Sequence, residues 1–148
     1  MLYLRFANPP TSMFIELNKR SNNANILHEW RDLDDISLYF PNAVIASEDQ
    51  QFPNHFGFDI KQIKLVLSEQ GDGYSRGAST ITQQTVKNLF LWPQRSFFRK
   101  GLEAWLVLWM ELVLPKKRIL EIYVNYAQFG KRVFGIGAAS KYYFGIDA

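Results

Sequence analysis

ASEDQQFPNHFGFD, residues Ala46–Asp59, sets two adjacent carboxylates, a histidine and three phenylalanines around one proline and one glycine. The apolar run Ala43, Val44, Ile45 and Ala46 leads into Glu48 and Asp49, and Pro53 biases Phe52 out of the α region, so a helix is expected to end here. Glu48 and Asp49 then lie in its last turns, where the helix dipole is negative and opposes ionisation. A carboxylate placed there is a candidate general base with raised proton affinity. The competing reading of this stretch alone is a solvated helix end over core phenylalanines.

Outward from it, Asp59 can cap a helix running to about Glu69, with Ile60, Ile63, Val66 and Leu67 at helical spacing. Three glycines make residues 70–77 a mobile loop on this reading. RGASTITQQTVKNLFLW, Arg76–Trp92, follows, and Thr80 with Gln83 three residues on forms a capping box. Ile81, Gln84, Lys87 and Asn88 share one face of the helix it opens. Such a polar face on a buried helix implies something polar held against it, while backbone amides at Gly77 and the helix start suit an anion. The alternative is a capped surface helix.

Residues 94–114 carry the longest helical pattern, apolar nearly all round from Leu102, which fits either a central core helix or a membrane-facing one. Arg99 and Glu103 stand four apart and can pair. Pro115 opens another helix with Lys116, Lys117 and Arg118 in its first turn, either joined by an anion or closing the preceding helix. Ile119, Ile122, Tyr123 and Tyr126 form its apolar side. Gly135 and Gly137 flank a last short helix. Toward the N-terminus, residues 1–25 read as irregular, since Pro9 and Pro10 forbid an early helix and the polar Ser21–Asn25 forms a loop, and Ile26–Phe40 reads as a linker to the first helix.

The 148 residues, 47% apolar and 16% aromatic, suit one folded domain rather than a disordered chain. Residues 1–75 hold 6 Lys/Arg against 10 Asp/Glu, and residues 76–148 hold 11 against 4, so a net charge of +3 hides an acidic half and a basic one. A basic half points to phosphate or an anionic membrane; no recognised nucleic-acid motif accompanies it, so no nucleic-acid partner is expected. With no cysteine, disulfides and thiolate metal sites are excluded. No stretch reaches the ~20 apolar residues of a membrane span. Any anchor is expected outside this sequence.

In order, these segments resemble the motifs of the peptidoglycan glycosyltransferases of glycosyltransferase family 51, most closely its monofunctional biosynthetic members. EDQQFPNHFG (Glu48–Gly57) matches EDxxFxxHxG, and GASTITQQTVKNLF (Gly77–Phe90) matches GxSTITQQxxKN. RKGLE (Arg99–Glu103) matches RKxxE, KKRILEIYVNYAQFG (Lys116–Gly130) is similar to KxxILExYLN, and GIGAASKYYFG (Gly135–Gly145) resembles the fifth motif. Five ordered motifs over roughly 100 residues are far more specific than any one. Val124, Gln128 and Gly137 depart from the usual pattern at positions not expected to do chemistry.

The resemblance implies a mainly α, lysozyme-like glycosyltransferase domain with a smaller membrane-associated lobe. Residues 1–148 would form part of it, without the N-terminal membrane anchor and C-terminal helices of family members. The implied reaction polymerises lipid II into β-1,4-linked glycan and releases undecaprenyl diphosphate, at the outer face of the bacterial cytoplasmic (inner) membrane, on the periplasmic or extracellular side. Implied partners are lipid II, the growing glycan chain, the membrane surface and other cell-wall synthesis and division proteins. Glu48 would be the base, with Asp49 orienting its motif and Phe52, His55 and Gly57 shaping the turn.

Lys87, Arg95, Arg99 and Lys100 would grip the diphosphate, with Ser79, Thr80, Gln83, Gln84 and Asn88 lining the same cleft. Glu103, across from Glu48, would order those cations or hold Mg²⁺ or Mn²⁺ at the donor diphosphate. Phe97, Phe98, Leu89, Phe90, Leu91 and Trp92 would meet the bilayer. Two rivals share some of these features: a lysozyme-like hydrolase using Glu48 and Glu103, and a non-catalytic lipid-diphosphate-binding fragment.

Overall fold

The computed structural model of the chain describes residues 1–22, 25–68, 79–94 and 96–148. Its elements are α1 (Met13–Asn22), β1 (Leu27–His28), α2 (Tyr39–Glu48), α3 (Ile60–Ser68), α4 (Ile81–Phe90), α5 (Phe97–Val113), α6 (Lys116–Tyr126), β2 (Val133–Phe134) and α7 (Ile136–Phe144), with one-turn 3-10 helices at Leu2–Arg5 and Leu33–Asp35. The fold is mainly α. Its centre is α4, which packs against α5, α6 and α1. Ile81 and Val86 of α4, Val107 and Met110 of α5, and Ile119, Ile122 and Val124 of α6 are wholly buried. Each such side chain contributes about 1.5–3 kcal/mol through the water it sheds.

The helix ends follow local chemistry. Thr80 Oγ1 accepts from the Gln83 amide at 3.2 Å while Gln83 Oε1 accepts from the Thr80 amide at 2.9 Å, completing the expected capping box. Asp59 Oδ1 accepts from the Gln62 amide at 2.9 Å, starting α3 as expected. Ser96 Oγ accepts from the Arg99 amide at 3.1 Å at the start of α5.

The N-terminal region departs from the irregular chain and linker expected. Pro9 and Pro10 only set where α1 can begin, and Ser12 Oγ then caps it by accepting from the Ile15 amide at 3.2 Å. Within residues 26–40, β1 pairs in parallel with β2, Leu27 opposite Val133 and His28 opposite Phe134. Leu33 and Ile36 reach the core. The helix α2 starts at Tyr39, earlier than the apolar run implied, because Pro41 lies in its first turn, where a missing N–H costs nothing. Gly137 does not flank α7 but lies within it; a Cβ there would sit 2.7 Å from the Glu29 carbonyl oxygen.

The long apolar helix is core along only one face. One face of α5, with Arg99, Glu103, Val107, Met110 and Glu111, is buried, while Trp105, Leu108, Trp109 and Leu112 form an exposed apolar stripe. Among the described residues no helix is long and apolar enough to cross a membrane. The expected bilayer patch is split in the same way. Phe97 and Phe98 are exposed, but Leu89, on the buried face of α4, and Leu91, the residue just past its end, are core. The cations opening α6 are joined by the protein's own anions: Lys116 donates to Glu111 at 2.7 Å, Lys117 to Asp34 at 2.7 Å, and Arg118 pairs with Glu121.

Candidate active site

The start of α4 stands between two open cavities. One, of about 720 Å³, is lined by Ser79, Gln83, Gln84, Lys87, Arg99, Lys100 and Glu103, with Phe14 and Phe97 at its walls. The other, of about 770 Å³, is lined by Glu48, Asp49, Asp59, Lys61, Ser79 and Thr80 among others. Ser79 borders both. The first collects three cations around one carboxylate; the second presents Glu48 at its wall.

Glu48 is the last residue of α2 and is exposed. Its Oε2 accepts from Gln84 Nε2 at 2.9 Å, a bond that crosses from α2 to α4. The hydroxyl of Tyr123, on α6, lies 3.4 Å from Gln84 Oε1. Burial, reinforced by the negative charge of Glu48, pushes the Tyr123 phenol up to about 12, so it stays protonated near neutrality.

Asp49 is buried at the end of α2. Its carboxylate accepts from His55 Nε2 at 2.9 and 3.0 Å and from the Ile81 amide, the first residue of α4, at 3.0 Å. A carboxylate at a helix N-terminus is well placed. Phe52 is 2% exposed, with the Lys116 ammonium 4.5 Å from its ring centroid, so it shapes the turn from within. Gly57 adopts a φ of +80°, and any Cβ there would meet Val107 Cγ1. Beneath this turn the buried Glu111 carboxylate accepts from Thr82 and Lys116.

Arg99 is 8% exposed and Glu103 3% exposed, joined at 2.9 Å through Nη1 and Oε2, while Lys100 reaches the other oxygen of Glu103. Among the described residues Arg99 Nε is buried with no hydrogen-bond partner. The same holds for Arg31 Nε and His55 Nδ1, but Arg99 alone of the three lines the cationic cavity, where water or an anion can reach it. Lys87 extends over the Phe14 ring, 5.9 Å from its centroid.

The structure thus brings Ser79, Gln83, Gln84, Lys87, Arg99, Lys100 and Glu103 to one cavity, and Glu48, Asp49 and Thr80 to the other. Glu103 does not share the cavity of Glu48; it lies across α4 from it. Thr80 is buried, spending its hydroxyl on the cap and on the Gly57 carbonyl at 2.7 Å. Asn88 is half-buried and borders neither cavity. Arg95 and the Gly77 loop lie outside the described residues. Sequence reasoning missed Tyr123, read only as part of an apolar face, and Phe14, on a segment read as irregular.

A divalent ion held by protein ligands does not fit this arrangement. Both oxygens of Glu103 are engaged by cations, and among the described residues no three metal-ligating side chains cluster.

The profile of the transglycosylase family matches residues 16–148, which takes in the lining of both cavities except Phe14. The chain belongs to the transglycosylase family. It is similar to the biosynthetic peptidoglycan transglycosylase of Marinomonas sp. strain MWYL1, 50% identical over 149 residues that cover 100% of this chain and 64% of that protein. The corresponding protein of Shewanella frigidimarina NCIMB 400 is 49% identical over 145 residues, covering 97% of this chain and 62% of its own. That of Xylella fastidiosa M23 is 47% identical over 155 residues, covering 100% and 64%. This member of the transglycosylase family therefore spans under two thirds of the length of these relatives.

Proposed function

We propose that this chain carries the glycosyl-transfer site of a peptidoglycan-polymerising enzyme, which joins the disaccharide units of lipid II through β-1,4 linkages. The observation that carries the reading is the pair of cavities on either side of the α4 start, one lined by cations and one by a carboxylate held across a helix interface. The cationic side suits a donor diphosphate: Lys87, Arg99 and Lys100 are grouped there, and Arg99 Nε has a donor to spare. The resemblance adds Arg95 to the same set. The side of Glu48 suits the acceptor sugar.

In this reading Glu48 takes the proton of the acceptor 4-hydroxyl as that oxygen attacks the anomeric carbon of the growing chain. The new bond joins acceptor oxygen to anomeric carbon. The bond that breaks joins that carbon to the diphosphate oxygen, and undecaprenyl diphosphate leaves with the electron pair. The cations stabilise the charge that develops on it. Glu103 acts as their counter-ion, keeping Arg99 and Lys100 in place rather than meeting the reacting sugars. If a divalent ion takes part, the diphosphate rather than the protein brings most of its oxygen ligands, and no step here runs through it.

A peptidoglycan polymerase works in the cell envelope, and a lipid-linked substrate requires the site to sit at the membrane surface. The exposed Phe97 and Phe98, at the rim of the cationic cavity, supply apolar contact with the interfacial region. The test is incubation of the full-length protein with labelled lipid II. Polymer and free undecaprenyl diphosphate are expected, whereas a hydrolase would shorten preformed glycan and a binding module would do neither. Glu48→Gln keeps the shape and the reach to Gln84 but cannot take a proton, so polymerisation should fall about 100- to 10,000-fold with donor binding retained. Near-normal turnover would remove Glu48 from the role.

A further inference from the structure

Glu48 is exposed and ends a helix, so its carboxylate has several rotamers open to it, and a base must hold one. What fixes it in this structure is the Gln84 amide, through Nε2 to Oε2 at 2.9 Å. A side-chain amide is a poor clamp by itself, because a half-turn about its last bond exchanges N–H for carbonyl oxygen and would point that oxygen at the carboxylate. Something must select the orientation. The group facing the other end of the amide is the Tyr123 hydroxyl, 3.4 Å from Gln84 Oε1.

We propose that Tyr123 is a positioning residue for Glu48, acting through the Gln84 amide. This rests on the reading of Glu48 as the base. The ring of Tyr123 is 8% exposed on α6, between the wholly buried Ile122 and Val124, so its hydroxyl is delivered from a rigid mount. The acceptor-only Glu48 carboxylate selects Nε2 as the end that faces it, and donation from the Tyr123 hydroxyl to Oε1 holds the amide in that orientation from its other side. The contact is longer than the usual O–H···O of about 2.7–2.8 Å, and such contacts at catalytic sites tighten when substrate binds. The phenol, held protonated by burial, stays a donor throughout the working pH range.

The test compares wild type, Tyr123→Phe, Gln84→Met and the double variant in lipid II polymerisation, with kcat and KM separated. Tyr123→Phe removes one oxygen and keeps the ring; kcat should fall about threefold to tenfold with KM little changed, the effect of one neutral hydrogen bond. Gln84→Met should cost about tenfold to a hundredfold, since its bond is to a charged group. If Tyr123 acts through Gln84, the double variant is no slower than Gln84→Met alone.

Multiplying losses, or a Tyr123→Phe effect confined to KM or absent altogether, would overturn the relay. Should Gln84→Met fail to fold, Tyr123→Phe in a Glu48→Gln background serves the same purpose. There the residual rate should not fall further, and a further fall would place Tyr123 elsewhere. The two readings fail separately: near-normal turnover of Glu48→Gln removes the base, while multiplying losses with Glu48→Gln inactive remove only the relay.

Discussion

Glu103→Ala offers the sharpest test of the cationic cavity, because its cost follows from burial and pairing alone. Arg99 is 8% exposed and Glu103 3%, so deleting the carboxylate leaves a guanidinium out of water with its Nη1 partner gone and its Nε already unpartnered among the described residues. Breaking one side of a buried ion pair costs about 3–5 kcal/mol. At about 2–4 °C per kcal/mol for a chain of this size, the midpoint of thermal unfolding should fall by roughly 6–20 °C. Lys100 adds little, because about half of its side chain is exposed and can turn to solvent. The double variant Arg99→Leu with Glu103→Leu removes both charges and should regain most of the stability, while losing affinity for a diphosphate. Circular dichroism melts read the first effect and binding of inorganic pyrophosphate the second. A Glu103→Ala midpoint within about 2 °C of wild type would refute the argument that this carboxylate holds Arg99 in place.

Three further outcomes are expected. Phe97→Ser with Phe98→Ser should lower the fraction of folded protein that floats with anionic liposomes, and an unchanged fraction would deny these residues an interfacial role. Gly57→Ala should destabilise by about 2–5 kcal/mol, combining an unfavourable left-handed φ with overpacking against Val107, as measured by chemical denaturation. Burial holds His28 below its ordinary pKa, outweighing the hydrogen bond to the Asn125 carbonyl at 3.0 Å. The unfolded chain then takes up a proton more readily than the folded one, so stability from this group is full above about pH 6.5 and is lost as pH falls through the lowered folded value. His28→Gln should flatten that part of the stability profile, and melts between pH 7.5 and 5 would show whether it does.

The features legible in the sequence are those that depend on neighbours close along the chain. The end of α2 was legible to within about a turn, since Pro53 put it near Phe52 and it falls at Glu48; the start of α4 followed from Thr80 and Gln83, and the Arg99–Glu103 pair from a spacing of four. What could not be read depends on tertiary distance. Nothing near Gln84 says that its amide spans from Glu48 to Tyr123, and nothing near Asp49 says that it reaches an amide 32 residues on. Helix α1 was hidden for a different reason: two prolines weighed more than the Ser12 cap behind them. Leu89 and Leu91 show the limit of hydropathy, which marks a residue as apolar without saying whether core or membrane will receive it.

The Asp49 carboxylate joins two motifs that are far apart in the chain, and this bears on how the protein can be altered. It is adjacent to Glu48 in sequence and bonded to the first amide of α4, so a shift of that helix start is passed to Glu48 through its neighbour as well as through Gln84. Neither motif is therefore an independent module. A chimaera that borrows the Glu48–Gly57 turn from one relative and α4 from another must inherit a matching Asp49 seat, or it will misplace Glu48 even with every other side chain of the two motifs present. Successful grafts should be those that carry both segments together, like two halves of one lock.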